Sequence, residues 1–242
     1  VGYGDAILLK LPQQGAMLID AGTQKCGERV ASYIKDRGVK KLDVVVITHC
    51  HPDHIGGIPK ILESVKVDEI WVNQDISRNL SYSPVYKAIQ RWKIPWRVIR
   101  RGENLDDVGG VEIECLHPGR ISHDPNDNSV VLKICYKKTV FLFPGDITPK
   151  AEKVLLDIYK GRLKGDVVKI PHHGHKSTYP FIEAIGPEIA VLTIGPNPYG
   201  APHPQTLRAY SEKGCCVLRT NELENIVIRT DGQRIWLETG GR

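Results

Sequence analysis

At 242 residues and 41% apolar side chains, the chain is long enough to bury a large core as one domain. No segment approaches the roughly 18 continuous apolar residues needed to cross a bilayer, and no signal peptide is visible. The net charge of +5, from 33 basic and 28 acidic residues, permits a polyanionic partner without demanding one.

Taken in order, residues 6–11 and 16–20 read as strands about a hairpin turn at Gln13-Gln14-Gly15. Residues 27–36 carry Val30, Tyr33 and Ile34 at helical spacing, with Gly38 as the stop. A buried strand is expected over 42–48, a helix over 55–65 beginning on a glycine pair, and a strand over 67–72. A helix over 84–92 and strands over 96–99, 111–116, 129–136 and 139–143 follow. The second half reads as helix 149–159, strand 166–170, helix 179–185, strand 189–194 and helix 204–213. Strands over 216–219, 225–229 and 234–237 close the chain, with Asp231-Gly232 as a two-residue hairpin turn. Alternating strands and helices point to mixed sheets with helices outside. The six cysteines show no C-x-x-C spacing and no regular framework, so they read as buried or free thiols.

The run Thr48-His49-Cys50-His51-Pro52-Asp53-His54-Ile55-Gly56-Gly57 directly follows the apolar strand Val44-Val45-Val46-Ile47. In extended backbone His49 and His51 point the same way while Cys50 points away, because side chains alternate with period two. Asp53 and His54 follow at the turn into the next helix and can face the same point from another side. Imidazole nitrogen with carboxylate oxygen is the donor set of zinc, manganese or iron in hydrolytic centres, and the run reads as a metal site.

The spacing H-x-H-x-D-H after a hydrophobic strand resembles the signature of the metallo-β-lactamase fold. Three further motifs narrow the resemblance. They are Val1-Gly2-Tyr3-Gly4-Asp5-Ala6 with Leu18-Ile19-Asp20-Ala21-Gly22, then Phe143-Pro144-Gly145-Asp146-Ile147, then Pro171-His172-His173-Gly174. Together they are similar to the C-terminal domain of ComEC-type DNA-internalisation competence proteins and its free-standing hydrolase relatives. The resemblance runs over nearly the whole chain and implies an α/β, αββα four-layer sandwich forming one domain over 1–242. Because the chain opens on Val1 inside the first motif, it also implies a first strand upstream.

The resemblance implies two divalent ions, Mn2+ or Zn2+. His49 and His51 would serve the first, Asp53 and His54 the second, with Asp146 bridging. The last histidine is His173, with His172 close behind. Many superfamily members place another histidine between the first cluster and the bridging Asp; here Asn126-Asp127-Asn128-Ser129 stands instead. Asp127 or Asn128 would offer oxygen to the first metal, or the run merely caps the following strand. Asp20 suits an acceptor that holds one histidine's ring N–H and fixes its tautomer. Asp5 either does the same or stabilises a tight turn.

Substrate contacts are expected in Gly174-His175-Lys176-Ser177-Thr178, where hydroxyls, amides and a lysine suit a phosphate. An ordinary helix cap by Ser177 or Thr178 is the plainer reading. His203, near the position where relatives carry a histidine and this chain has Ala201, is a phosphate binder, a leaving-group acid or a surface-loop histidine. The basic and aromatic stretch 91–101 reads as core packing by Trp92 and Trp96 in preference to a track for a nucleic-acid strand.

The activity so implied is a metal-dependent phosphodiesterase, a DNase acting on the non-imported strand, with Asp53, His54, Asp146, Lys176 and His203 closest to the chemistry. The implied partners are DNA, as one strand, and the membrane channel domain of the same parent protein. The implied location is the outer face of the cytoplasmic membrane, or the cytoplasm for a free-standing hydrolase. A small phosphodiester or lactone substrate, and a DNA-binding module without catalysis, are the alternatives.

Overall fold

The computed structural model describes residues 1–75, 84–105 and 108–238. Its first sheet has the order β1 (Ile7–Lys10), β2 (Ala16–Ile19), β3 (Lys41–Ile47), β4 (Lys66–Val72) and β5 (Trp96–Val98). β1 pairs antiparallel with β2, and β2 through β5 run parallel. The second sheet comprises β6 (Glu112–His117), β7 (Val131–Tyr136), β8 (Thr139–Phe143), β9 (Val167–Lys169), β10 (Ile189–Leu192) and β11 (Cys216–Arg219), neighbours in that order. There β6, β7 and β8 meander antiparallel and β8 through β11 run parallel.

Period-two alternation sorts the side chains into three apolar layers. Met17, Ile19, Val44, Val46 and Trp71 face inward and meet Ile113, Cys115, Leu132 and Ile134 of the second sheet. Leu18, Val45, Ile47 and Ile70 face outward under α1 (Gly27–Asp36), α3 (Ile58–Ser64) and α4 (Pro84–Trp92). On the far side, Leu142, Val168, Ala190 and Leu192 pack under α5 (Pro149–Tyr159), α6 (Tyr179–Ile185) and α7 (Pro204–Glu212). The layers are therefore α, β, β, α, as the motifs imply.

Three local expectations are corrected. The helix expected over 55–65 is two: α2 (Pro52–Ile55) and α3, parted by Gly56-Gly57. Pro52 supplies a helical φ at the first turn, so the helix begins early and carries Asp53 and His54 itself. A Cβ on Gly57 would stand 2.2 Å from the Ala21 carbonyl oxygen, so the glycine permits the loop at 21–24 to close on the helical turn that carries Asp53 and His54. Trp92 and Trp96 are exposed, at 44% and 37%, rather than core. Trp92 closes the end of α4 and β5 is the edge strand, so no layer covers either ring. At the C-terminal end, β12 (Ile228–Thr230) and β13 (Ile235–Leu237) are joined through 231–234, longer than the expected two-residue turn. Asp231 holds that turn by accepting the N–H groups of Gln233 and Arg234, both at 2.8 Å. A short helix, α8 (Thr220–Leu223), was not anticipated.

The parallel strands of both sheets end at one edge, and β7 begins there. The Val130 N–H donates to the Thr48 carbonyl at 2.9 Å, tying the two sheets together at that point. The six cysteines are free thiols, two of them buried. Cys50 packs against the outer layer of the first sheet, away from the histidines beside it.

Candidate metal centre

Five chain segments meet at the shared carboxyl edge: 3–5 before β1, Asp20 after β2, the run 48–54 after β3, Gly145-Asp146 after β8, and 171–174 after β9. His49, His54, Asp146 and His173 are buried, while Asp53 keeps 25% of its side chain in solvent. His54 Nε2 lies 3.1 Å and His173 Nε2 3.2 Å from the same atom, Asp146 Oδ2. Asp53 Oδ2 lies 3.5 Å from His173 Nε2 and 3.8 Å from His54 Nε2. One potential ligand atom each from His49, His54 and Asp146 falls within 4.8 Å of the others, as does one each from Asp53, His54 and His173. His49 Nε2 and His51 Nδ1 face each other at 3.0 Å, on the same side as alternation requires.

The far nitrogens are occupied. His54 Nδ1 is 2.7 Å from Asp20 Oδ2, and His173 Nδ1 is 2.9 Å from the Thr193 carbonyl oxygen. Both acceptors lack a proton to give, so each imidazole donates from Nδ1 and in its neutral form aims a bare Nε2 at Asp146. Thr48 Oγ1 donates to Asp20 Oδ2 at 2.6 Å and so accepts from His49 Nδ1 at 3.1 Å, baring His49 Nε2 by the same logic. Asp20 thus orients two histidines at once, directly for His54 and through Thr48 for His49. It does so at φ +56, a left-handed conformation that Asp tolerates better than most residues. His172 and His173 are also left-handed, at φ +47 and +51. Such strain costs about 1–3 kcal/mol per residue. The turn is secured where the His172 N–H donates to the Gly145 carbonyl. Gly145 itself sits at φ +59, and a Cβ there would stand 2.8 Å from Ser129 Cβ. Its absence lets Ser129 Oγ accept the Asp146 N–H at 3.1 Å.

Lys169, which the sequence reading missed, is 3% exposed and locks the other side of the bridging carboxylate. Its Nζ donates to Asp146 Oδ1 at 2.8 Å and to the Gly145 carbonyl at 3.0 Å, and lies 2.6 Å from Asp5 Oδ2. The only signal was a lysine inside an otherwise apolar buried strand just before the histidine pair. Tyr3 was missed as well; its ring lies 4.2 Å from that of His173, and its hydroxyl is 3.1 Å from His175 Nε2. Burial, with Asp146 and Asp53 nearby, pushes the Tyr3 pKa up and keeps the hydroxyl protonated.

The remaining expectations divide. Asp127 accepts from Thr148 Oγ1 at 2.5 Å and faces Lys150, so its carboxylate is turned away from the cluster. The Asn128 amide is bonded to Ser122 and Asp75. Ser177 Oγ and the Thr178 N–H both donate to buried Glu152, at 2.5 and 2.7 Å, which orders the loop and leaves neither group aimed at the cluster. Lys176 is exposed, three positions after His173. His203 is the N-cap of α7, accepting the Gln205 N–H at 3.3 Å. The His172 ring lies 4.4 Å from that of His175, tilted by 37°.

The donor set fits divalent cations. Burial opposes charging His54, but Asp146 and Asp20 outweigh it and hold the imidazole pKa well above its ordinary value. Burial likewise opposes charging His173, yet Asp146 and Asp53 raise it from 6.5 to about 9. His173 Nε2 nonetheless has no hydrogen-bond partner of good geometry, though it is buried and aimed at carboxylate oxygens. Two nitrogens and two carboxylates converging this way describe ligands around a cation, which protons replace when the cation is absent. A raised imidazole pKa stabilises the metal-free fold fully below about pH 6.5, and that contribution is lost as pH rises through about 9. Cations compete with those protons, so metal affinity should rise steadily between these pH values with proton release. Isothermal titration in buffers of different ionisation enthalpy measures both, and a flat affinity would contradict the assignment. Asp20→Ala should weaken metal binding by about 10–100-fold, because it frees the tautomers of His54 and His49 together. Competition with a chromogenic chelator reads that change directly.

Fold and centre together define a metallo-β-lactamase-type protein. The Metallo-beta-lactamase superfamily profile matches residues 1–195, and the chain belongs to that superfamily. It is 26% identical to ComE operon protein 3 of Bacillus subtilis (strain 168), over 95% of this chain and 32% of that protein. It is 28% identical to competence protein ComA of Neisseria gonorrhoeae, over 91% of this chain and 30% of that protein. The chain spans about a third of the length of these relatives. Among solved structures, a mutant of the β-hydroxylase CmlA superposes with a TM-score of 0.58 at 15% identity, covering 90% of this chain and 51% of that one. A hydroxylase on the same fold means that the fold alone does not fix the reaction. Members of the fold typically bind divalent metals, usually two. No helix among the described residues is long and apolar enough to cross a membrane.

Proposed function

We propose that the chain is a metal-dependent phosphodiesterase acting on DNA, degrading the strand that is not imported during natural transformation. The observation that carries the metal chemistry is the convergence of His54 Nε2 and His173 Nε2 on Asp146 Oδ2, with Asp53 Oδ2 facing the same two nitrogens and each imidazole held from behind. The competence proteins named above favour DNA over other phosphodiesters. By the same reasoning the domain works beside a membrane channel of its parent protein, on the outer face of the cytoplasmic membrane.

His49, His51 and Asp146 would hold one divalent ion, and Asp53, His54, Asp146 and His173 the other, Mn2+ or Zn2+. Bound there, such ions would supply Lewis-acid chemistry for hydrolysis of a phosphate ester. The chain's own residues do the rest. Lys169 ties up Asp146 Oδ1, so the carboxylate presents a single oxygen, Oδ2, to both sides of the centre. Asp53 and His51, the partly exposed ligands, mark the side from which a strand approaches. The protonated Tyr3 hydroxyl at the rim is a donor for a phosphate oxygen, and exposed Lys176 supplies positive charge nearby.

The test is degradation of end-labelled single- and double-stranded DNA with added manganese, magnesium or zinc, against Asp53→Ala with His54→Ala. Metal-dependent cleavage lost in the double variant supports the reading. Two bound ions without cleavage would redirect it to small phosphodiesters or lactones. Neither cleavage nor bound metal would make the domain a binding module.

A further inference from the structure

Beyond the metal cluster, rings continue outward in an unbroken series. Tyr3 stands 4.2 Å from His173, and Tyr199 stands 5.3 Å from Tyr3. His175 lies 6.4 Å from Tyr199 and is hydrogen-bonded to Tyr3. Tyr199 is 65% exposed, the highest value among the large hydrophobic side chains of the described residues. It does not sit on a loose loop. Asn197 donates through Nδ2 to the Gly195 and Ala201 carbonyls, both at 3.0 Å. Its Oδ1 accepts the N–H groups of Tyr199 at 3.1 Å and Ala201 at 3.2 Å. One buttressing side chain therefore clamps the loop from 195 to 201 and holds an aromatic ring in water beside the cluster. Exposing that much apolar surface is unfavourable, and a braced loop denies the ring any collapse onto the protein.

We propose that Tyr199, backed by Tyr3, is a stacking subsite for an unpaired nucleobase next to the phosphate held at the metal centre. The inference rests on the phosphodiesterase reading and specifies its substrate as a single strand. A nucleotide offers a charged phosphate at one end and a flat apolar base at the other. The cation-binding cluster and the exposed ring match those two ends in that order. Tyrosine suits the role because it presents a rigid face with few rotatable bonds, and because every base has a π-face the subsite tolerates any sequence. In a duplex the bases are already stacked and paired, so the subsite selects unpaired strands.

The test compares a short oligonucleotide with one of equal length whose sugars carry no base, by fluorescence anisotropy and by metal-dependent cleavage. Wild-type protein should bind the base-bearing strand about 5–150-fold more tightly than the abasic one. That ratio should collapse toward one in Tyr199→Ala and return in Tyr199→Trp. Because the ring is exposed, neither substitution threatens folding. Equal affinity of the wild-type protein for both strands, or a ratio that survives in Tyr199→Ala, overturns the subsite. The two readings fail separately. Tyr199-dependent binding without cleavage would end the phosphodiesterase proposal and leave the subsite standing. Cleavage indifferent to Tyr199 would do the reverse.

Discussion

Lys169→Met should destabilise the metal-free protein by about 3–5 kcal/mol, the usual cost of removing one partner of a buried ion cluster. The ammonium lies between Asp5 and Asp146, at 2.6 and 2.8 Å, and both carboxylates are buried, at 1% and 2% exposed. Burial would push both carboxyls upward, yet they are held below the ordinary carboxylate range. Lys169 is the leading opposing charge at Asp5, and at Asp146 it follows only His54. Methionine fills a similar volume and leaves the two buried carboxylates with only the His54 and His173 imidazoles to offset them. Urea unfolding of protein stripped with EDTA measures the loss. Added divalent metal should then raise stability more in the variant than in the wild type, since ions bound only by the folded state stabilise it by mass action. A loss below about 1 kcal/mol would mean that water or a rearranged side chain satisfies the pair, and that Lys169 does not set the charge of the centre.

Asp146→Asn should abolish tight loading of the second ion and lower hydrolytic turnover by about a thousandfold or more. A ligand that stabilises developing charge contributes several kcal/mol, and each 1.36 kcal/mol is about tenfold in rate. The substitution keeps shape and volume, so it separates charge from packing. It removes the anion on which both His54 Nε2 and His173 Nε2 converge. Lys169 retains Asp5 and the Gly145 carbonyl, so the fold should persist. Metal content after dialysis, followed by steady-state kinetics, gives the two readouts. Their order against Asp20→Ala is itself diagnostic, because Asp20 acts only through the histidines it orients and its loss should be milder. Full metal content with full activity in Asp146→Asn would place the chemistry elsewhere.

Much of the centre is legible from local pattern. A strand followed by H-x-H-x-D-H sets His49 and His51 on one side by period two and carries Asp53 and His54 into the first helical turn, and the found geometry agrees. The layer order was implied by the resemblance, and the structure shows how it is met: Met17, Ile19, Val44 and Val46 face the second sheet while Leu18, Val45 and Ile47 face the helices. Where local pattern misled, a tertiary boundary was responsible. Trp92 and Trp96 read as core by composition but lie where the sheet ends. Asp127 reads either as an oxygen ligand or as part of a strand cap, and in the fold its carboxylate accepts from Thr148.

What the sequence determined by itself is thus most of the elements and most of the side chains that gather at the cluster, decided by spacings of a few residues. What only the tertiary structure decided is which partners those side chains meet. Asp20 reaches His54 across 34 positions, His54 reaches Asp146 across 92, and Tyr3 reaches His175 across 172. A buried carboxylate or ammonium is held by the groups that desolvation forces upon it. Those groups arrive from distant strands, so the tautomers of His54 and His173, the Lys169 clamp on Asp146 and the exposed ring of Tyr199 exist only once both sheets share an edge.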